Sequence, residues 1–212
     1  MIIAVDGPAA SGKGTLSKGL ALHYNLPYLD TGLLYRGVGF TLLQEKPDEL
    51  DYKKTAIKIA NSIDLKNLDS DALGIPEVAM EAAKVAKIPE VREALKQFQV
   101  NFATQKGGAI LDGRDIGTKI CPNADVKLFI VAKPEIRANR RYLQLLAKGL
   151  EANEQEILGQ IIARDKSDKE NKAGNFYKAS DAHLLDSTKL DIESSLREAI
   201  AIVDRVMAEK SE

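Results

Sequence analysis

The stretch from Gly7 to Thr15, GPAASGKGT, constrains the fold of this chain more than any other. It follows a short apolar, β-branched run, Ile2 to Val5, which ends at Asp6 and reads as a buried strand. Beyond it, Leu16, Leu20 and His23 fall at helical spacing. Strand, glycine-rich turn and helix, in that order, make a phosphate-cradling loop. The glycines let several backbone N–H groups turn inward, and the helix adds its positive N-terminal end. In the pattern G-x-x-x-x-G-K-[ST] the lysine reaches the β- and γ-phosphates and the hydroxyl sits beside Mg²⁺. Lys13 and Thr15 are the candidates for those roles here. The candidate ATP-binding set is Gly7, Pro8, Ala9, Ala10, Ser11, Gly12, Lys13, Gly14 and Thr15. The match departs at one position: Gly14 follows the lysine, and the hydroxyl comes one residue later.

Further strands are predicted at Pro27–Asp30, Ala109–Leu111, Val126–Ala132 and Ala182–Leu185. Between them lie helical patterns at Leu33–Leu43, from Pro134 onward, at Glu154–Asn171 and at Ile192–Ala208. Thr31 is placed to cap the first of these. The region from Pro47 to Ala103 is helical in pattern but broken at Pro47, Asn67–Ser70, Gly74–Pro76 and Pro89. Strands alternating with helices predict a parallel α/β sheet covered on both faces. The blocks at about residues 31–100 and 150–180 fit that sheet poorly. They read as insertions at the C-terminal ends of strands, where open α/β sheets bind ligands.

At 212 residues the chain is expected to be one domain. A net charge of −1 argues against broad, charge-driven binding to nucleic acid or membrane, though a local basic pocket remains open. The sole cysteine, Cys121, allows no intrachain disulfide, no apolar run approaches a membrane span, and Asp6 interrupts the only signal-peptide candidate. The expected location is the cytoplasm.

Four more motifs carry charge suited to phosphate chemistry. In LDTGLLYRG, Thr31, Tyr35 and Arg36 lie one helical turn apart and can face one pocket; the alternative is a capped helix with an exposed arginine. In ILDGRDIGT, Asp112 ends a buried strand, as a Mg²⁺-assisting acid does, and Gly113 turns the chain to present Arg114 and Asp115. Those two could instead pair locally. IRANRRY sets Arg137, Arg140 and Arg141 at helical spacing, and ARDKSDKENK sets Arg164, Asp168 and Lys172 on one face. Either run could be a solvated face; in a phosphoryl-transfer enzyme, such arginines close over the moving charge and exclude water.

Taken in order, DGPAASGKGT, LDTGLLYRG, PEVREAL, LDGRDIGT, ANRRYLQL, ARDKSDKENK and LLDST resemble the bacterial cytidylate (CMP) kinases over nearly the full length. Gly-Lys-Gly-Thr is the usual loop ending in nucleoside monophosphate kinases, which makes Gly14 part of the resemblance. The resemblance implies the P-loop nucleoside monophosphate kinase fold: a five-stranded parallel sheet with helices on both faces, a monophosphate-binding insertion and a lid. On that reading the core spans about 1–30, 101–150 and 181–212, the insertion about 31–100, and the lid about 150–180. It implies transfer of the γ-phosphoryl group of ATP to CMP or dCMP with Mg²⁺. The expected partners are these small molecules, with no nucleic acid or membrane, and the chain is expected to be a monomer. Tyr35 and Arg36 match residues that hold the acceptor, Arg92 and Asp115 match groups reading the cytosine edge, and Arg114 matches an acceptor-phosphate arginine. Arg164 and Asp168 match lid residues reaching the acceptor's sugar and phosphates, and Arg140 and Arg141 match arginines flanking the transferring group. With Thr31, whose hydroxyl stands where many members have serine, these give a CMP-binding set of Thr31, Tyr35, Arg36, Arg92, Arg114, Asp115, Arg164 and Asp168. The catalytic set is Lys13, Arg140, Arg141 and Arg164, and the Mg²⁺ set, partly through water, is Thr15 and Asp112.

The chain departs from the family pattern in Ala83, nine residues before Arg92, where a base-contacting serine is common. It also carries Ser167, Lys169 and Lys172 where lid arginines are frequent, and Leu65–Val78 is short. The rival readings are a kinase of another small acceptor, such as UMP, AMP or shikimate, and a P-loop switch. The sequence has no N-K-x-D guanine-reading motif to favour the switch.

Overall fold

The computed structural model describes residues 1–64, 72–171, 173 and 176–211; Asn67–Ser70, the first half of Leu65–Val78, and Lys172 lie outside them. Five strands form one sheet: β1 (Ile2–Asp6), β2 (Tyr28–Asp30), β3 (Ala109–Gly113), β4 (Val126–Val131) and β5 (His183–Asp186). All pairings are parallel, in the order β2-β3-β1-β4-β5. The central strand β1 is apolar at every interior position because it is covered on both sides, and Ile3, Ala4 and Val5 are fully buried. Strand periodicity divides the core in two. Ile3 and Val5 join Ile110, Leu128, Ile130 and Leu185 beneath α1 (Lys13–Tyr24) and α8 (Ile192–Glu209). Ala4, Leu29 and Leu111 join the opposite layer, built on α2 (Gly32–Glu45), α3 (Tyr52–Ser62) and α5 (Pro89–Ala103).

Between β2 and β3 the chain runs through α2, α3, α4 (Pro76–Val85) and α5, and between β4 and β5 through α6 (Pro134–Ala147) and α7 (Glu154–Glu170). Helices α4, α5 and α6 each open on a proline, whose fixed φ and missing N–H suit the first turn. Both helical blocks therefore stand at the C-terminal edge of the sheet. Strand order reverses there, because the chain leaves β1 for β2 on one side and later crosses to β4 on the other. Among the described residues no helix is long and apolar enough to cross a membrane.

One expectation of the sequence is corrected. Thr31 occupies the position before α2, but its hydroxyl does not cap the helix. It donates to the Asp112 carbonyl at 2.8 Å, and the Thr31 N–H donates to the same oxygen at 3.1 Å. The α2 start is instead satisfied by Asp30, whose Oδ1 accepts the Gly32 N–H at 2.9 Å. The side chain that should cap its own helix has been taken by the neighbouring strand.

Candidate active site

The loop after β1 is built to approach phosphate with backbone alone. Ala10 and Gly12 have φ of 57° and 88°, the left-handed region, and so reverse the chain into α1. Gly7 lies against β4 so closely that a Cβ there would fall 2.2 Å from the Ile130 carbonyl oxygen, which excludes any side chain. Helix α1 starts at Lys13 with no side-chain cap and no acidic residue in its first turn. Its leading N–H groups and its positive end are thus left to an anion. Lys13 folds over the loop, Nζ lying 3.5 Å from the Pro8 carbonyl oxygen. Burial, with Arg114 nearby, pulls its ammonium down to about 8 despite the attraction of Asp112, Asp30 and Asp168.

Asp30 and Asp112 are register partners at the ends of β2 and β3. Asp112 is buried; its Oδ2 accepts the Tyr28 hydroxyl at 2.7 Å and lies 3.5 Å from where a Cβ on Gly14 would stand. A Cβ at position 14 would meet that carboxylate in ordinary van der Waals contact, so space alone does not demand glycine after the lysine. Burial raises the Asp112 carboxyl to about 6, opposed by Lys13. Among the described residues no group of three or more His, Cys, Asp or Glu side chains assembles around a metal. The candidate ligands offer oxygen only: the Asp112 carboxylate beside Gly14, and the hydroxyl of the next residue, Thr15. Such a set fits Mg²⁺, which keeps waters and takes its other ligands from substrate phosphates.

The turn after β3 sends its two charged residues to different partners, so Arg114 and Asp115 do not pair with each other. The Arg114 guanidinium bonds Asp168 of α7 at 2.8 Å and lies over the Phe176 ring, 5.8 Å from its centroid. Asp115 pairs with Arg92 of α5. Arg92 in turn lies over the Tyr35 ring at 5.6 Å, and Tyr35 is hydrogen-bonded to the buried Gln99. Burial pushes the Asp115 carboxyl up against the pull of Arg92. The result is one wall in which Tyr35, Arg92 and Asp115 hold one another, on three separate elements.

Between that wall and the phosphate loop the charge is positive. Arg36 is half-buried, donates to the Leu73 carbonyl at 3.3 Å, and is not the exposed arginine that spacing also allowed. Burial lowers its pKa, Asp30 opposes this, and Arg141, Arg164 and Arg114 add repulsion. These four arginines converge on one space. Arg164 bonds Asp168 at 3.0 Å and the Ala79 carbonyl of α4 at 3.3 Å. Asn171 reaches the Ala86 carbonyl at 3.2 Å, so the α7 end touches both the core and the α4 region. Ser167 and Lys169 belong to the same α7, and Lys169 lines a cavity of about 810 Å³ with Phe129, Phe176 and Tyr177.

The two adjacent arginines of α6 part company. Arg141 bonds Gln144 at 2.8 Å and is felt electrostatically at Arg36. Arg140 is committed elsewhere, donating to the Ser187 carbonyl at 2.6 Å, to Ser187 Oγ at 3.0 Å and to the Leu190 carbonyl at 3.2 Å. Ser187 Oγ then donates to the Ser11 carbonyl at 3.1 Å. Arg140 thus fastens the turn after β5 to the phosphate loop. Arg137, which the sequence placed in the same run without a role, is buried; it bonds the Ala9 carbonyl at 3.1 Å and pairs bidentately with Asp165 of α7. Asp30, Asp165 and Ser187 support the site without having been singled out, and Arg137 was named only as a member of its run. Only the helical spacing of Arg137 with Arg140 offered a signal.

The cytidylate kinase family model matches residues 3–205. The chain belongs to the cytidylate kinase family, a family of phosphotransferases. It is 50% identical over 208 residues to the cytidylate kinase of Bradyrhizobium sp. (strain ORS 278), covering 98% of both chains. It is 48% identical over 211 residues to that of Bradyrhizobium diazoefficiens, covering 100% of this chain and 99% of the relative. Among solved structures it is similar to a gluconokinase from Sinorhizobium meliloti 1021, with a TM-score of 0.53 at 14% identity, covering 99% of this chain and 94% of that one. At that identity the likeness concerns the fold alone.

Proposed function

We propose that this family member transfers the γ-phosphoryl group of ATP to CMP and dCMP, giving the diphosphates and ADP. The observation that carries the reading is the Arg92–Asp115 pair, stacked on Tyr35 and set across the arginine cluster from the phosphate loop. A guanidinium and a carboxylate side by side offer donors and an acceptor to one planar edge, and cytosine presents both an exocyclic amine and a ring acceptor. The phosphate loop and Lys13 hold the donor. Arg36, Arg114, Arg141 and Arg164 neutralise the acceptor phosphate and the moving phosphoryl group, while Asp168 holds Arg114 and Arg164 in register. An acceptor phosphate oxygen bonds to Pγ as the bond from Pγ to the ADP oxygen breaks. The acceptor is already an anion, so no dedicated base is required. Thr15 and Asp112 would hold Mg²⁺, which supplies charge neutralisation on the donor phosphates.

The test is a coupled assay over CMP, dCMP, UMP and AMP. CMP and dCMP are expected to exceed UMP and AMP by at least about tenfold in kcat/KM, the discrimination that a mispaired polar edge produces. Ala83, lacking a side-chain donor, makes UMP the closer competitor. Preference for AMP, or no turnover, overturns the reading.

A further inference from the structure

The turn that presents Asp115 has an anomaly at its start. Residues Ile116–Ile120 form a wide helical turn with i→i+5 bonds, from the Ile120 N–H to the Asp115 carbonyl and from the Cys121 N–H to the Ile116 carbonyl at 2.7 Å. Asp115 stands at the cap position and is a residue type well suited to capping, yet its side chain makes no cap. It is turned to Arg92 instead. The cap comes from Asp6, 110 residues away in sequence: Oδ1 accepts the Ile116 N–H and Oδ2 accepts the Gly117 N–H, each at 2.8 Å. Asp6 is 5% exposed. From the other side the turn rests on the stem of Lys127. A Cβ on Gly117 would lie 3.1 Å from Lys127 Cδ and 3.4 Å from Asp6 Oδ2, so the turn fills its slot.

We propose that Asp6 is a positioning residue for acceptor recognition: it caps the 116–120 turn in place of Asp115 and so releases Asp115 to pair with Arg92 and face the acceptor base. Asp6 also precedes the first residue of the phosphate loop, but its carboxylate bonds the acceptor turn alone, so its side chain acts on the acceptor side. The proposal rests on the reading of Asp115 as a base-facing residue.

The test compares Asp6→Asn, Asp115→Asn and the double variant in steady-state kinetics with CMP, UMP and ATP. Asparagine at position 6 sets an N–H donor against a backbone N–H, so the turn loses a charge-assisted bond and Asp115 is drawn back to cap it. Asp6→Asn is expected to raise KM for CMP by about tenfold, with KM for ATP within about twofold, and to erode the CMP-over-UMP preference. The double variant is expected to lose no more than Asp115→Asn alone. Equal rises in both KM values, no change in either, or additive losses in the double variant overturn the proposal. If Asp115→Asn acts and Asp6→Asn does not, the proposal alone fails; if Asp115→Asn leaves the CMP preference intact, the reading of Asp115 fails and takes the proposal with it. Should Asp6→Asn not fold, Gly117→Ala presses on the same turn, and an unchanged KM for CMP in that variant is equally contrary.

Discussion

Replacing Lys13 by Ala is expected to lower kcat by a factor on the order of 10²–10⁴, the range for removing a group that stabilises charge in the transition state. Lys13 sits over the loop beside Pro8, where a bound triphosphate would meet its ammonium. The same lysine makes a pH signature. Burial first, and Arg114 second, hold its pKa down at about 8. The charged form is therefore lost as pH rises through about 8, well before an ordinary lysine at 10.5. Because kcat/KM reports the free enzyme, kcat/KM for ATP is expected to fall above about pH 8 by roughly tenfold per pH unit. The Lys13→Arg variant keeps its charge throughout and is expected to lose that alkaline limb, whatever its absolute rate. A near-normal kcat in Lys13→Ala, or an unchanged limb in Lys13→Arg, removes Lys13 from the mechanism.

Replacing Asp168 by Ala is expected to cost on the order of 10² in kcat/KM for CMP, the effect of stripping one partner from a shielded charge pair. One carboxylate joins Arg114 of the β3 turn to Arg164 of α7, and Arg164 continues to the Ala79 carbonyl of α4. Burial alone would raise the Asp168 carboxyl, but Arg114 and Arg164 together hold it below the ordinary value of 3.8. A depressed carboxylate contributes stability that is present above 3.8 and lost as pH falls through the lower folded value. Neutral pH therefore sees the full clasp. In Asp168→Ala two neighbouring guanidiniums repel without a counter-ion, so the ordered approach of α7 is lost. Asp168→Asn keeps the shape and should recover only part of the rate; full recovery would show that packing, not charge, orders the arginines.

The sheet was legible because β1, β3 and β4 are short, nearly continuous apolar runs, the pattern a parallel sheet buried on both faces requires of its inner strands. The phosphate loop was legible because its chemistry is local: glycines, a lysine and a helix start lie within nine residues. Long-range bonds were not. Asp6 meets Ile116, Arg137 meets Ala9, and Ser187 meets Ser11, across separations of 110, 128 and 176 residues that leave no periodic trace. Arg140 and Arg141 show a subtler limit. Successive residues on a helix point about 100° apart, so the two diverge, and nothing in RR says which turns to the phosphate loop, as Arg140 does, and which to Gln144, as Arg141 does. Thr31 was misread for the opposite reason: its local cap was plausible, but the neighbouring carbonyl of Asp112 was a better partner than any within reach along the chain.

The most direct measurement of the central claim is label transfer from γ-labelled ATP in the presence of CMP. The account predicts that the label appears in the β-phosphate of CDP, in step with ADP, and that omitting CMP leaves little label in inorganic phosphate. Label released as inorganic phosphate regardless of CMP, or transferred in preference to AMP, would contradict it.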